Sequence, residues 1–581
     1  MSVGVCARIL RITNSVQTKL RNVMSMTTVR STIARLSTLG CAALLLVSCG
    51  STNSGEGGSV DANNGADDIQ TQEDGSGQGT APVSQLEDGF IRDQEEGTPV
   101  PGGELRLASF LEPASLDPAE TIVAGTTGGI EMLNLYDSLT RWSVDENAFI
   151  PQTAESVESN DEFDEWTVTL RPDITFSDGT DYDAEAVKAS QERYASMPSP
   201  EGNFWNENVD SVEIIDDHTL RYELTSPWSD FPSLLSGGPG MILAKAAYEG
   251  GEEEFEPIGA GPFTLDEWVP SEHISFTKRD DYWAGEPNLD GFTSVFLDDQ
   301  QVAVDTLNSG GVDAVFALHA SFVEQLMDGG YNGLASTLAA GASVLINASE
   351  GYPGEDIRVR KAIQLAIDPQ VVMERAYQGA VDGDPTLFPA NSMWHTTTAG
   401  VEPDVDQAKE LLEEAKADGY DGKIEHVDLS DPSNRNRAGA IQALLEAAGF
   451  EVEVDLRRTS AEQIQRVSVD VDYGTAAWGT NVRNVNPLPR FFTNLHSEGN
   501  QLSGIYTSEE MDSYIEEFQA APDDESRRAA IDKIQQQINE DAPFVVLGQL
   551  AELLAWGDHV FGVTESANTT VLLDKAWLAQ E

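Results

Sequence analysis

The sequence predicts an α/β protein built in more than one lobe. Two observations carry that expectation. Residues 102–581 hold nearly all the Trp, Tyr and Phe of the chain, and a folded region of that length is too large for a single hydrophobic core. Between residues 423 and 479 strand and helix patterns alternate, which implies a sheet with helical crossovers.

The alternation is explicit in the residues. KIEHVDLS, from 423, reads as a strand. A helix follows from Arg437, with Ile441, Leu444 and Leu445 on one face. EVEVDL, from 451, alternates as a strand does; a short helix near Ile464 and the run YGTAAWG complete the series. Farther on, Asp523, Asp524 and Glu525 predict the start of a helix carrying Ile531, Ile534 and Ile538, and Pro543 predicts its end. No repeat of twenty to fifty residues is visible.

The N-terminus has another character. Leu44-Leu45-Leu46-Val47-Ser48-Cys49-Gly50 places a short apolar run and a small residue directly before a cysteine. Upstream lie Arg8, Arg11, Lys19, Arg21, Arg30 and Arg35 and no acidic residue. The apolar run from Leu36 to Val47 is too short to span a bilayer, so residues 1–48 are expected to be a lipoprotein signal peptide and Cys49 a lipidated residue. Residues 49–101 are rich in Gly, Ser, Asn, Gln, Asp and Glu and poor in large apolar residues, the composition of a disordered acidic tether. A lipid anchor on the outer face of the cell membrane is the expected location.

Composition narrows the function. Cys6, Cys41 and Cys49 are the three cysteines, so a chain cleaved before Cys49 keeps one, and neither a disulfide nor a cysteine-based metal site is expected. The net charge is −65; without residues 1–48 it becomes 28 − 99 = −71. Such a chain repels nucleic acid and anionic headgroups. G-x-S-x-G, H-E-x-x-H, P-loop and C-x-x-C patterns are missing, and the seven His include no i, i+4 pair, so no enzyme, metal or cofactor is expected.

Several segments, read in order, resemble the bacterial extracellular solute-binding proteins of the oligopeptide, dipeptide and nickel type, the receptors of ABC importers. They are GGELRLAS at 102–109, Ser115-Leu116-Asp117-Pro118, Leu135-Tyr136-Asp137-Ser138-Leu139, Ala154-Glu155-Ser156, WTVTLRPDITFSDGT at 166–180 and DAEAVKASQERY at 183–194. PIGAGPFTL at 257–265, RDDYWAGEPNLD at 279–290, LNSGGVDAVF at 307–316 and DIRVRKAIQLAID at 356–368 follow. Each motif is weak alone; their order and spacing are the signal. The residues also make sense as scaffold: in FSDGT a polar turn precedes a helix starting near Asp183, and Ile363 and Ile367 lie four apart on an amphipathic helix.

The resemblance implies a two-lobed fold like that of periplasmic binding proteins, with a ligand cleft between the lobes. Lobe I is then expected at 102–145, 255–345 and 552–581, with a subdomain inserted at 146–254, lobe II at 346–551, and hinges near Ser343 to Ala348 and Val546 to Ala555. It implies a monomeric receptor that delivers a short peptide or other small solute to a permease driven by a separate ATPase. An oligosaccharide receptor of the same fold and a non-transport surface sensor are the alternatives.

Trp478-Gly479-Thr480-Asn481-Val482-Arg483 resembles the cleft-lining stretch of peptide receptors, where an aspartate two residues after the glycine pairs with the peptide α-ammonium. Asn481 stands at that place here, and an amide brings hydrogen bonds but no charge. Arg483 is expected to offer its planar fork to a carboxylate, and Trp478 an apolar wall. Trp394, Gly504 and Tyr506 are further candidates for cleft walls, with Glu120 and Thr121 on the opposing lobe. Trp394, Trp478 and Tyr506 suit stacking on a sugar equally well.

Overall fold

A computed structural model describes residues 83–579 apart from 93–96, 198–199, 252–254, 298, 500–501 and 503. The leader and Cys49 lie outside the described residues.

A 12-stranded mixed sheet forms the frame. Its strands are β1 (Gly89–Phe90), β2 (Glu104–Ser109), β3 (Phe263–Val269), β4 (His273–Lys278), β5 (Gly291–Phe296), β6 (Ala314–Ala317), β7 (Asn332–Ile346), β8 (Lys423–Leu429), β9 (Glu451–Arg457), β10 (Thr475–Trp478), β11 (Val482–Arg483) and β12 (Phe544–Trp556). The order is β9-β8-β10-β7-β12-β6-β2-β5-β4-β3, with β1 and β11 pairing onto β7. β7 and β12 run antiparallel through the middle of this order. Their early and late ends respectively belong with β6 and β2, and their opposite ends with β10 and β8. Two long strands are thus shared by the two lobes.

The crossing is marked in the register. β7 pairs regularly with β12 as far as Leu338↔Leu550, breaks, and resumes at Ala342↔Gly548 and Ser343↔Val546. Ala340 sits in the break with φ 47, a left-handed conformation unfavourable to a residue with a Cβ. The irregularity therefore precedes the Ser343 to Ala348 stretch expected from the sequence and falls opposite Gly548 to Leu550.

The strand and helix alternation at 423–479 folds into the parallel set β8, β9 and β10. The first crossover helix, Pro432–Ala448, begins before Arg437: Asp431 caps it by accepting the Asn434 amide, and Pro432 stands at its first turn. The helix Asp524–Asp541 starts where expected, capped by Asp523, whose carboxylate accepts the Ser526 amide. Likewise Asp183 caps Ala184–Ser196 and Asp356 caps Ile357–Ala366.

Between β2 and β3 the chain builds a hairpin, Thr140–Ser143 with Ala148–Pro151, and a separate four-stranded antiparallel sheet of Ala154–Ser159, Glu165–Leu170, Thr219–Leu224 and Val209–Asp216. One apolar cluster includes Trp166, Phe231 and Leu234 from this part together with Phe491, Ile531 and Phe544 from beyond β11. Phe204 and Phe492 meet across it with ring centroids 5.5 Å apart, so the inserted part and the second lobe are packed against each other.

Residues 83–92 correct the expected tether. Val83 is fully buried, and Gly89 and Phe90 pair with Ala335 and Leu334 of β7. Composition averaged over 49–101 misses this because the apolar residues Val83, Leu86, Phe90 and Ile91, which pack onto the core, are few beside the polar majority; Asn391 and Gln549 side-chain amides also donate to the carbonyls of Ser84 and Leu86.

Candidate functional site

A cavity of about 60 Å³ lies where the two lobes meet. Ile122, Ala124 and Asn568 line it from the first lobe; Phe204, Ser233, Leu234, Gly237 and Pro239 line it from the inserted part. Arg483, Asn486, Pro489 and Arg490 close it from the second lobe. That volume has room for a few waters, whereas a pocket holding a small organic ligand measures roughly 300–1,000 Å³.

The walls are set by local sequence. The second-lobe wall follows β11 through Asn486-Pro487-Leu488-Pro489-Arg490, where two prolines open the helix Leu488–Leu495. The facing wall is Ser236-Gly237-Gly238-Pro239-Gly240. A Cβ at Gly240 would stand 1.6 Å from the Leu235 carbonyl oxygen, so this tight turn requires glycine.

Asn486 Oδ1 is buried and has no hydrogen-bond partner. An orphaned acceptor at the cavity wall is costly unless a ligand or a water supplies the donor. Arg483 is 8 % exposed and its fork is engaged: Nη1 and Nη2 donate to Oε2 and Oε1 of Glu552, which is 3 % exposed, at 2.9 and 3.1 Å. Thr569 Oγ1 donates to the same carboxylate at 2.8 Å. Arg483 lines the cavity, but the carboxylate it pairs with belongs to the protein rather than to a solute.

The other residues singled out in the sequence go elsewhere. Trp394 is 3 % exposed, packs edge-on against Phe518 and donates its indole N–H to the Asn484 carbonyl at 2.6 Å; it is a core residue, not a cleft wall. Trp478, Gly479, Thr480 and Asn481 lie beside the register break of β7 at Ala340 and Gly341. There the Thr480 amide and hydroxyl both donate to the Ala340 carbonyl, Asn481 takes φ 50, and a Cβ on Gly479 would meet the Gly341 carbonyl at 2.7 Å. None of these four lines the cavity. Tyr506 stacks under the Arg360 guanidinium at 4.2 Å, and the Gly504 carbonyl accepts the Ala348 amide at 2.6 Å; both are removed from the cavity lining. Glu120 and Thr121 immediately precede Ile122 without lining it themselves.

Sequence reasoning missed Asn486, Arg490 and the 233–239 turn. The Pro-punctuated run after Arg483 and the Gly-Gly-Pro-Gly turn were the available signals for loops facing one another. Among the described residues that line the cavity there is no His, Cys, Asp or Glu, and no cluster of metal-ligating side chains occurs among the described residues. An apolar pocket with an amide acceptor and two guanidinium groups can bind and orient a solute; it offers no general base.

Known proteins share this fold. The chain is 30% identical over 270 residues to the glutathione-binding protein GsiB of Escherichia coli K12, which is 45% of this chain and 52% of that protein; it spans about half the length of the curated relatives it matches. Among solved structures, the substrate-binding protein CtaP of Listeria monocytogenes superposes with a TM-score of 0.68 at 22% identity, covering 83% of this chain and all of that one. The oligopeptide-binding protein AppA of Bacillus subtilis, in complex with a nonapeptide, gives 0.69 at 20% identity, with 83% and 100% covered. The family model for the middle region of bacterial extracellular solute-binding proteins, family 5, matches residues 148–501. Over half of the chain falls within that match, and the chain therefore belongs to the family 5 bacterial extracellular solute-binding proteins, which are transport binding proteins and not enzymes.

Proposed function

We propose that this chain is the lipid-anchored substrate-binding component of an ABC importer, which captures a short peptide between its lobes and delivers it to the permease. The observation that carries the reading is the cavity itself, lined from both lobes and holding the unpartnered acceptor of Asn486. A peptide N–H is the donor that acceptor lacks, and closure on the peptide supplies the desolvated environment in which such a bond is worth most. Similarity to glutathione-binding proteins supports a solute of tripeptide size.

An oligosaccharide fits less well. Trp394, Trp478 and Tyr506, the side chains suited to stacking on a sugar ring, do not line the cavity, and among the described residues Phe204 is the one aromatic that does. The leader and Cys49 support the anchor through the sequence alone. Among the described residues no helix is long and apolar enough to cross a membrane.

Thermal melting with glutathione, mixed di- to tetrapeptides and maltooligosaccharides tests the reading. A peptide at a hundred times its Kd should add about 2.7 kcal/mol to stability, a rise of several degrees. A rise with the sugars and none with any peptide would overturn it.

A further inference from the structure

Residues 83–92 tie together parts of the molecule that belong to different lobes. At one end the Val83 amide donates to the Ala380 carbonyl at 2.9 Å, and Ser84 Oγ donates to Asp382 at 3.3 Å, both on the second-lobe side. At the other end β1 pairs with the first-lobe end of β7, and the Phe90 ring meets Trp556 edge-on at 6.3 Å. Gln549, whose amide reaches the strap carbonyls, stands in β12 opposite the register break.

Asp88 occupies the middle of this strap. Its Oδ1 accepts the Thr337 amide at 2.8 Å; its Oδ2 accepts Thr337 Oγ1 at 2.7 Å and Asn484 Nδ2 at 2.8 Å. Asn484 Nδ2 also donates to Thr337 Oγ1 at 2.6 Å, which closes a ring of three side chains around one carboxylate. Thr337 directly precedes Leu338, the residue of β7 that pairs with Arg483. Asn484 is 3 % exposed and lies between Arg483 and Asn486, which both line the cavity.

We propose that the strap 83–92 is a clasp across the hinge and that Asp88 is a positioning residue for the ligand cleft, fixing Asn484 and through it the run 482–486 that forms the second-lobe wall. The role in solute binding rests on the function proposed above; the clasp itself does not. Hydrogen bonds to an ionised carboxylate are about twice as strong as neutral ones. Removing the carboxylate leaves a buried amide N–H short of an acceptor, so the cost falls on Asn484 and its neighbours rather than on the strap alone.

The test compares Asp88→Ala and Ser84→Ala with the wild-type full chain, first without ligand. Hydrogen exchange at the amides of 482–486 should accelerate about tenfold in Asp88→Ala and stay within about twofold of wild type in Ser84→Ala. Glutathione is the probe for the second arm: its dissociation should quicken about tenfold in Asp88→Ala with association unchanged.

Unchanged exchange at 482–486 while Gly89 and Phe90 exchange faster would overturn the clasp, and equal acceleration in Ser84→Ala would overturn the particular role of Asp88. Faster exchange with glutathione release at the wild-type rate would overturn the positioning role. A wild-type chain that fails to bind glutathione would count against the functional reading and leave the exchange arm to decide the clasp. Should Asp88→Ala not fold, Asp88→Asn serves instead: it keeps an oxygen for the Thr337 amide but turns an N–H2 toward Asn484. Exchange at 482–486 faster than wild type supports the proposal, and wild-type exchange sinks it.

Discussion

Arg483 and Glu552 form a buried two-bond ion pair, 2.9 and 3.1 Å, that joins the run after β10 to the first-lobe end of β12. Arg483 lines the cavity, and the pair ties β11 to β12. Removing one partner strands the other charge in a low-dielectric site, which costs about 3–5 kcal/mol. Glu552→Gln should lower the unfolding free energy by that order in urea titrations at pH 7. Arg483→Met combined with Glu552→Leu should cost markedly less than the two single changes added together.

Asp137 carries a pH signature. It is fully buried, and burial pushes its carboxyl up to about 6, opposed by hydrogen bonds from the Tyr282 hydroxyl, the Ser138 amide and the Trp283 indole. Its folded value lies above the ordinary carboxylate value of 3.8, so the folded state holds the extra proton between the two. This group's contribution is present below about 4 and is lost as pH rises through about 6, a span worth about 3 kcal/mol. Asp137→Asn should flatten that part of the stability profile between pH 4 and 7, measured by urea unfolding at stepped pH. A profile as steep as wild type would show that Asp137 titrates normally.

Asn486→Ala separates binding from stability. The change deletes an unpartnered buried acceptor, so the melting temperature should hold or rise slightly. Affinity for a bound peptide should fall about tenfold by calorimetry, the worth of one hydrogen bond in a closed site.

Cys49 is tested by localisation. Cys49→Ser should move the protein from the membrane fraction to the soluble fraction, because the remaining chain would lack the acyl chains that give stable anchoring. Continued membrane retention of that variant would contradict a lipid anchor at this residue.

What the sequence made legible follows from the range of each signal. The 423–479 alternation and the helix starts at Asp183 and Asp523 depend on residues a few positions apart, and they stand as read apart from the early start at Pro432. The site depended on longer reach. Trp394 finds its partner 90 residues away at Asn484, and Arg483 finds Glu552 69 residues away, so neither the core role of the indole nor the occupied fork of the guanidinium is written near the residue itself. The clasp was hidden for a related reason: Asp88 meets Thr337 and Asn484 at separations of 249 and 396 residues, and the large apolar residues Val83, Leu86, Phe90 and Ile91 are diluted in a longer Gly-, Ser- and acid-rich stretch that reads as tether.

The central claim is that the cleft takes a short peptide. Mass spectrometry of small molecules released by denaturing the chain from residue 50 onward, purified from a peptide-rich medium, tests it most directly, because a closed cleft retains its solute through purification. The account predicts short peptides at about one per chain, lost in Asn486→Ala. Sugars in their place, or an empty cleft together with peptides that leave the melting temperature unmoved, would contradict it.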